Sequence, residues 1–213
     1  YNEPISITLK GRVSEPIARA ALMALIRRHA VLRTYFALDS KDACFYQHVL
    51  PADGFIIPIS SCTTSATWAE HVERELLSAL DLFKAPAVRA CLLQAETSCL
   101  LLNAHHIAVD MDAMVIVRQD LALHFEALAD GIFPAASAQL EFEYADFCVW
   151  EQNRSDDVEA IAWWASQLEG APKLLTLPFD HARPDAQETP GAQVRVNLDE
   201  YLTGRAVSFC AVA

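Results

Sequence analysis

The chain has 213 residues, 53% of them hydrophobic, and a mean hydropathy of +0.18, which is enough apolar material for a sizeable core and excludes an intrinsically disordered segment. Sixteen basic residues against 28 acidic ones give a formal net charge of −12, and no Lys/Arg cluster could neutralise a run of phosphates, so nucleic acid is excluded as a partner. The longest apolar runs, such as Cys99 to Leu102, are too short to cross a bilayer, and the start lacks a basic region followed by an apolar block, so the chain reads as soluble and cytoplasmic, with no membrane partner.

The opening Ile5-Ser6-Ile7-Thr8-Leu9 alternates at period two and predicts a half-buried strand. Ser14 as N-cap and Pro16 in the first turn start a helix whose apolar face, Ile17, Ala20, Ala21, Ala24 and Leu25, runs to about His29. Strands are predicted at 34–38, 44–50 and 55–59, separated by turn compositions at 39–42 and 51–54. Trp68, Val72, Leu76 and Leu80 mark a second amphipathic helix that ends near Pro86, with Glu75 on its solvent side. Residues 88–93 and 98–102 read as adjacent antiparallel strands, and the second is apolar nearly throughout, as a central strand should be.

A third helix comes next, with Met114, Val117, Leu121, Phe125 and Leu128 on one face and Asp130-Gly131 closing it. Two helices rich in Trp and Tyr are predicted at 142–154 and 158–169. A stretch punctuated by Pro172, Pro178, Pro184 and Pro190 then leads to a returning strand at 193–198. The six cysteines lie in hydrophobic or mixed segments without a CxxC pair, so buried free thiols are expected. The chain opens on Tyr1 rather than Met and stops inside a strand-to-helix transition over 195–213, as a piece cut from a longer protein would.

The sharpest chemical signal is His105-His106 followed by Asp110, placed between the apolar strand and the third helix. A loop leaving a central strand holds side chains on a rigid support, and a neutral imidazole there can accept a proton near neutral pH. Asp110 can fix the loop by pairing with a cation or by capping the helix. Adjacent residues on an extended segment point in opposite directions and no third His or Cys sits at a ligand spacing, so no metal is expected. The bland alternative makes both histidines hydrogen-bonded core residues.

Three blocks in order carry a resemblance. Arg28 to Phe36 (RHAVLRTYF), His105 to Asp110 (HHIAVD) and Tyr144 to Trp150 (YADFCVW) are similar to blocks of the condensation domains of nonribosomal peptide synthetases and hybrid polyketide/peptide synthases. Trp163-Trp164 and the segment Leu177 to Pro184 are similar to further family text. The resemblance implies an α/β fold, a two-layer sandwich of a mixed sheet and helices like a chloramphenicol acetyltransferase lobe. Residues 1–213 would be the N-terminal lobe, lacking its first few residues and the whole C-terminal lobe.

By the same resemblance His106 takes the catalytic position, deprotonating or orienting the amine of a carrier-bound acceptor as it attacks a carrier-bound acyl or peptidyl thioester. His105 and Asp110 would hold the loop. Partners would be upstream and downstream carrier proteins, the missing C-terminal lobe and neighbouring synthase domains. No cofactor is bound directly, since phosphopantetheine rides on the carriers. Two other readings stay open: a silent docking module or truncated relic in a polyketide synthase, and a related ester-forming or epimerising domain.

Arg33, flanked by Leu32, Tyr35 and Phe36, suggests a guanidinium carried inward to meet an acid, with Asp110 as the expected partner in a pair whose breaking would cost about 3–5 kcal/mol. His29 is read as a helix-end residue, and Tyr144, Asp146 and Trp150 as helix packing with a local hydrogen bond. The sequence departs from the family at Met111, where Gly is usual. Met111 is expected either to pack inward or to narrow the substrate channel beside His106.

Overall fold

The computed structural model describes residues 1–41, 43–63, 65–84, 86–133, 140–154, 158–182 and 194–211. The chain divides into two compact units, residues 1–156 and 157–213.

In the first unit, alternation places Ile5, Ile7 and Leu9 on the inner side of β1 (Asn2–Leu9). Strand β6 (Ser98–His105) lies between β1 and β5 (Val88–Leu93) and is antiparallel to both, while β4 (Ile59–Cys62) runs parallel to β5 at the far edge. The sheet is therefore mixed, and the apolar strand is interior to it. Helices α1 (Glu15–Arg28) and α3 (Met111–Ala129) cover one face, packing Leu22, Leu25, Val117 and Leu121 against Leu100 and Leu102. Pro16 sits in the first turn of α1 and Ser14 at its N-cap, although the Ser14 hydroxyl makes no capping bond.

Helix α2 (Ser65–Leu77) meets the opposite face of the sheet. Its last carbonyls lack intrahelical donors, and side chains from the sheet supply them. Asn103 donates to Glu75 O at 2.6 Å, Asn2 to Leu76 O and Ser78 O, and Arg89 to Ser78 O and Ala79 O. This polar clamp stops the helix well before Pro86. It also turns the Glu75 carboxylate inward, 2.9 Å from Arg89 Nε, and leaves Leu76 39% exposed, the reverse of the expected facing.

A 3-10 turn (Ala30–Arg33) links α1 to a separate hairpin of β2 (Thr34–Asp39) and β3 (Cys44–Val49). The strand expected at 55–59 starts instead at Ile59. Pro58 cannot donate to a ladder, though its carbonyl accepts from Ala90 N at 2.8 Å. Helix α4 (Tyr144–Gln152) completes the unit.

The second unit contains α5 (Val158–Gln167), where the Trp163 and Trp164 rings meet edge to face, and α6 (Glu200–Cys210). Of the expected strand at 193–198, Gln193 lies outside the described residues. The remainder forms no ladder, and Val194, Val196 and Leu198 are exposed. A strand needs a neighbour to bond to, and residues 194–198 have none among the described residues. Among the cysteines, Cys62 and Cys91 are buried free thiols as expected, whereas Cys44 and Cys210 are exposed. Among the described residues, no helix is long and apolar enough to cross a membrane.

Candidate active site

Strand β6 ends at His105, and its backbone delivers the histidines to a tight turn before α3. His105 N donates to Ala87 O at 2.9 Å and His106 N to Tyr1 O at 2.8 Å, so both flanking chains hold the turn. Ala108 N closes it onto His105 O, and the buried Val109 anchors the start of α3 in the core.

The two rings have different surroundings. His105 is half-buried, and its Nδ1 accepts from Ile107 N at 3.0 Å. A ring that accepts must carry a lone pair there, and burial, the chief cause, pushes its pKa below the usual histidine value. His106 is half exposed, with Nε2 3.5 Å from Oε1 of Glu3 on β1.

His106 opens on a recess whose walls include Val31, Ala108, Asp110 and Tyr144. A second depression shares Val31, Ala108 and Tyr144 and continues to Thr34, Phe36 and Gln47. The three sequence blocks, far apart in the chain, thus converge on one apolar-walled trough with an imidazole at its mouth. An imidazole beside apolar-walled recesses can accept a proton from a group bound there.

The expected pair of Arg33 and Asp110 is not formed. Arg33 does carry its guanidinium inward, but it donates to carbonyls: Nε to Ile26 O at 3.1 Å, in the last turn of α1, and a terminal nitrogen to Leu50 O. Ile26 O, at a helix end without an intrahelical donor, needs a donor as much as an acid would. Asp110 is exposed and caps α3, its Oδ1 accepting from Ala113 N at 2.8 Å. Met111 is therefore the first residue of α3. It is 75% exposed, which rules out inward packing within this unit, and it does not line the recess.

The carboxylate that does meet basic side chains of the first block is Asp120, which the sequence did not single out. It lies 3.0 Å from Arg28 Nε and 2.6 Å from His29 Nε2, with His29 at the C-cap of α1 as expected. Its one available signal was its place on the flank of the α3 apolar stripe, four residues before the buried His124. Glu3 was also missed. Alternation assigns residue 3 to the side of Ile5 and Ile7, so a carboxylate there breaks the pattern.

In the third block, Glu143 N donates to Asp146 Oδ2 at 2.8 Å, the local hydrogen bond expected of Asp146, and Glu143 Oε2 accepts from Ala30 N, tying α4 to the first block. Trp150 is 54% exposed and packs locally, its ring 5.6 Å from that of Phe147, with Arg154 over it.

A family model for the condensation domain matches residues 1–212. The chain is 31% identical over 220 residues to the phosphinothricin tripeptide synthetase PhsC of Streptomyces viridochromogenes, covering 95% of this chain and 19% of that one. It is also 30% identical over 214 residues to a dimodular nonribosomal peptide synthase of Bacillus subtilis, covering 93% and 9%. Among solved structures it is similar to the X-domain from teicoplanin biosynthesis, with 29% identity and a TM-score of 0.72, over 86% of this chain and 42% of that one. The epimerization domain from the third module of tyrocidine synthetase B, at 19% identity and a TM-score of 0.72, shares the fold over 87% of this chain and 43% of that one. The chain thus spans under a fifth of the length of these curated relatives and about two fifths of the solved domains. With the match running from residue 1 to residue 212, this chain belongs to the condensation-domain family of nonribosomal peptide synthetases.

Proposed function

We propose that this chain is the N-terminal lobe of a condensation enzyme and supplies the histidine that handles the acceptor's proton. The convergence of Val31, His106 to Asp110 and Tyr144 on one trough supports this reading most directly. An acceptor amine on one carrier attacks the thioester carbonyl of a donor on the other, so a C–N bond forms and a C–S bond breaks. His106 orients the amine, takes the proton it loses, and returns it to the departing pantetheine sulfur. A free amine is already a good nucleophile, so the ring contributes position plus about 10²–10⁴-fold of acid/base assistance.

The test is His106→Ala in the full-length protein with both carriers loaded. Turnover should fall by about that factor while carrier binding and melting stay near wild type, and equal turnover would remove His106 from the mechanism.

A second reading is favoured by Met111 in place of the usual Gly and by likeness to an X-domain solved in complex with OxyB, at 28% identity and a TM-score of 0.71. On this reading the chain is a docking module without turnover. Absent bond formation by the wild-type protein, together with retained binding to a neighbouring synthase domain or tailoring enzyme, would favour it.

A further inference from the structure

The recess at His106 and the depression behind it share Val31, Ala108 and Tyr144 as walls, so a group held at the imidazole lies next to the second space. The floor of that space is buried: Thr34 and Ala87 are each 6% exposed, and the Thr34 hydroxyl is committed to Ala30 O at 2.9 Å. Phe36 and Gln47, set directly opposite each other by the hairpin register, form its far end. Gln47 is tied to α4, its Nε2 donating to Cys148 Sγ at 3.4 Å.

None of the described residues lining the depression is charged, and Tyr144, whose pKa the neighbouring Cys148 holds above the usual tyrosine value, adds no charge at neutral pH. An ammonium or carboxylate placed there would lose water without gaining a counter-ion. The space measures about 80 Å³. A cavity of roughly 150 Å³ admits benzene, so this one is too small for an aromatic ring and suits an aliphatic group of about three or four carbons.

We propose that this depression is a side-chain subsite of the same centre. It takes an uncharged aliphatic substituent of the acyl or aminoacyl group held beside His106, and Gln47, at its end, sets the length admitted. A longer chain must displace the Gln47 amide from Cys148 and leave it without that partner. The subsite rests on the proposed condensation role and adds the class of substrate side chain.

The experiment measures competition between carrier-loaded substrates in the full-length protein by single turnover. In one series the donor is fixed and the acceptor carries an isobutyl, hexyl, benzyl, lysine or glutamate side chain. In the other the acceptor is fixed and the donor varies in the same way. Isobutyl should win over benzyl and the charged groups in one series, and that series names the source of the substituent. Gln47→Ala should raise the kcat/KM ratio of hexyl to isobutyl about 10-fold, the low end for a methylene or two in an apolar pocket, because the end wall belongs to a two-stranded hairpin. Gln47→Glu should raise the ratio of lysine to isobutyl by a similar factor. Melting temperatures should change little, since Gln47 is exposed. Wild-type ratios for both variants in both series would overturn the subsite and leave the role of His106 standing. So would an equal loss of rate on every substrate. No bond formation by the wild-type protein with any pair would remove the proposed function and the subsite together.

Discussion

His29 and Asp120 meet at 2.6 Å, so the residue that ends α1 is held by a carboxylate from the middle of α3, and Arg28 shares that carboxylate at 3.0 Å. Both helices lie over the sheet that presents the histidine turn, and the contact fixes them to each other by charge as well as by apolar packing. Asp120→Ala should cost about 3 kcal/mol, the low end of the range for breaking a buried pair, because Arg28 keeps 28% of its exposure. Urea unfolding would measure it, and a cost within experimental error would show that the cluster adds nothing to stability.

Asp110→Ala should be milder. An exposed N-cap carboxylate with one bond to Ala113 N contributes about 1 kcal/mol, well below the roughly 3–5 kcal/mol expected of a buried ion pair. Asp110→Asn and Asp110→Ser, which can also cap, should recover most of the loss in the same unfolding assay.

Met111→Gly exchanges an exposed side chain at the first helical position. Little apolar burial is lost, so destabilisation should stay within the roughly 1 kcal/mol cost of glycine in a helix. A drop in melting temperature matching several kcal/mol would mean that Met111 is buried against a part of the protein beyond this chain.

His124 gives an acid-side prediction. The ring is 6% exposed on α3, its Nε2 lacks a hydrogen-bond partner among the described residues, and burial, the chief cause, lowers its pKa from the usual 6.5. The unfolded chain therefore takes up a proton below that value while the folded chain stays neutral. Stability is full above pH 6.5 and falls as the pH drops from there toward the lowered folded value. His105 acts in the same direction. His124→Leu should flatten part of this decline without loss at neutral pH, as read from melting temperatures across the range.

Ala43, in the turn between β2 and β3, has φ of 56°, a left-handed conformation that crowds its Cβ against the following carbonyl. It is solvent-exposed, so Ala43→Gly should stabilise the protein by about 1 kcal/mol through relief of that crowding. Ala43→Val should do the opposite, and urea unfolding of the two variants beside the wild type reads both changes.

Much of the site was legible because it is local. The apolar run at Leu100 to Leu102 announced an interior strand, and the histidines directly after it could only lie where that strand stops. The α3 face and its Gly131 stop were equally plain, since period and terminator agree. Partners from distant segments were harder to read. Arg33 looked as though it needed an acid, but backbone carbonyls satisfy a guanidinium too, and no pattern in a sequence marks a carbonyl as needy. Asp120 lay hidden on the edge of an apolar stripe. The end of α2 was overrun because Asn2, Arg89 and Asn103, from three different strands, decide it, and periodicity within the helix carries no trace of them.

The hairpin of β2 and β3 pairs with itself and not with the larger sheet, and β3 is exposed along its length. Two strands alone are marginal in water, so amide hydrogen exchange should be fast there and slow in β6, which is bonded on both sides. The hairpin carries Phe36 and Gln47, the far wall of the trough, while β6 carries the histidines. On the proposed function, fast exchange in the hairpin would mark it as the compliant wall, able to yield to substrates of different girth without moving the imidazole.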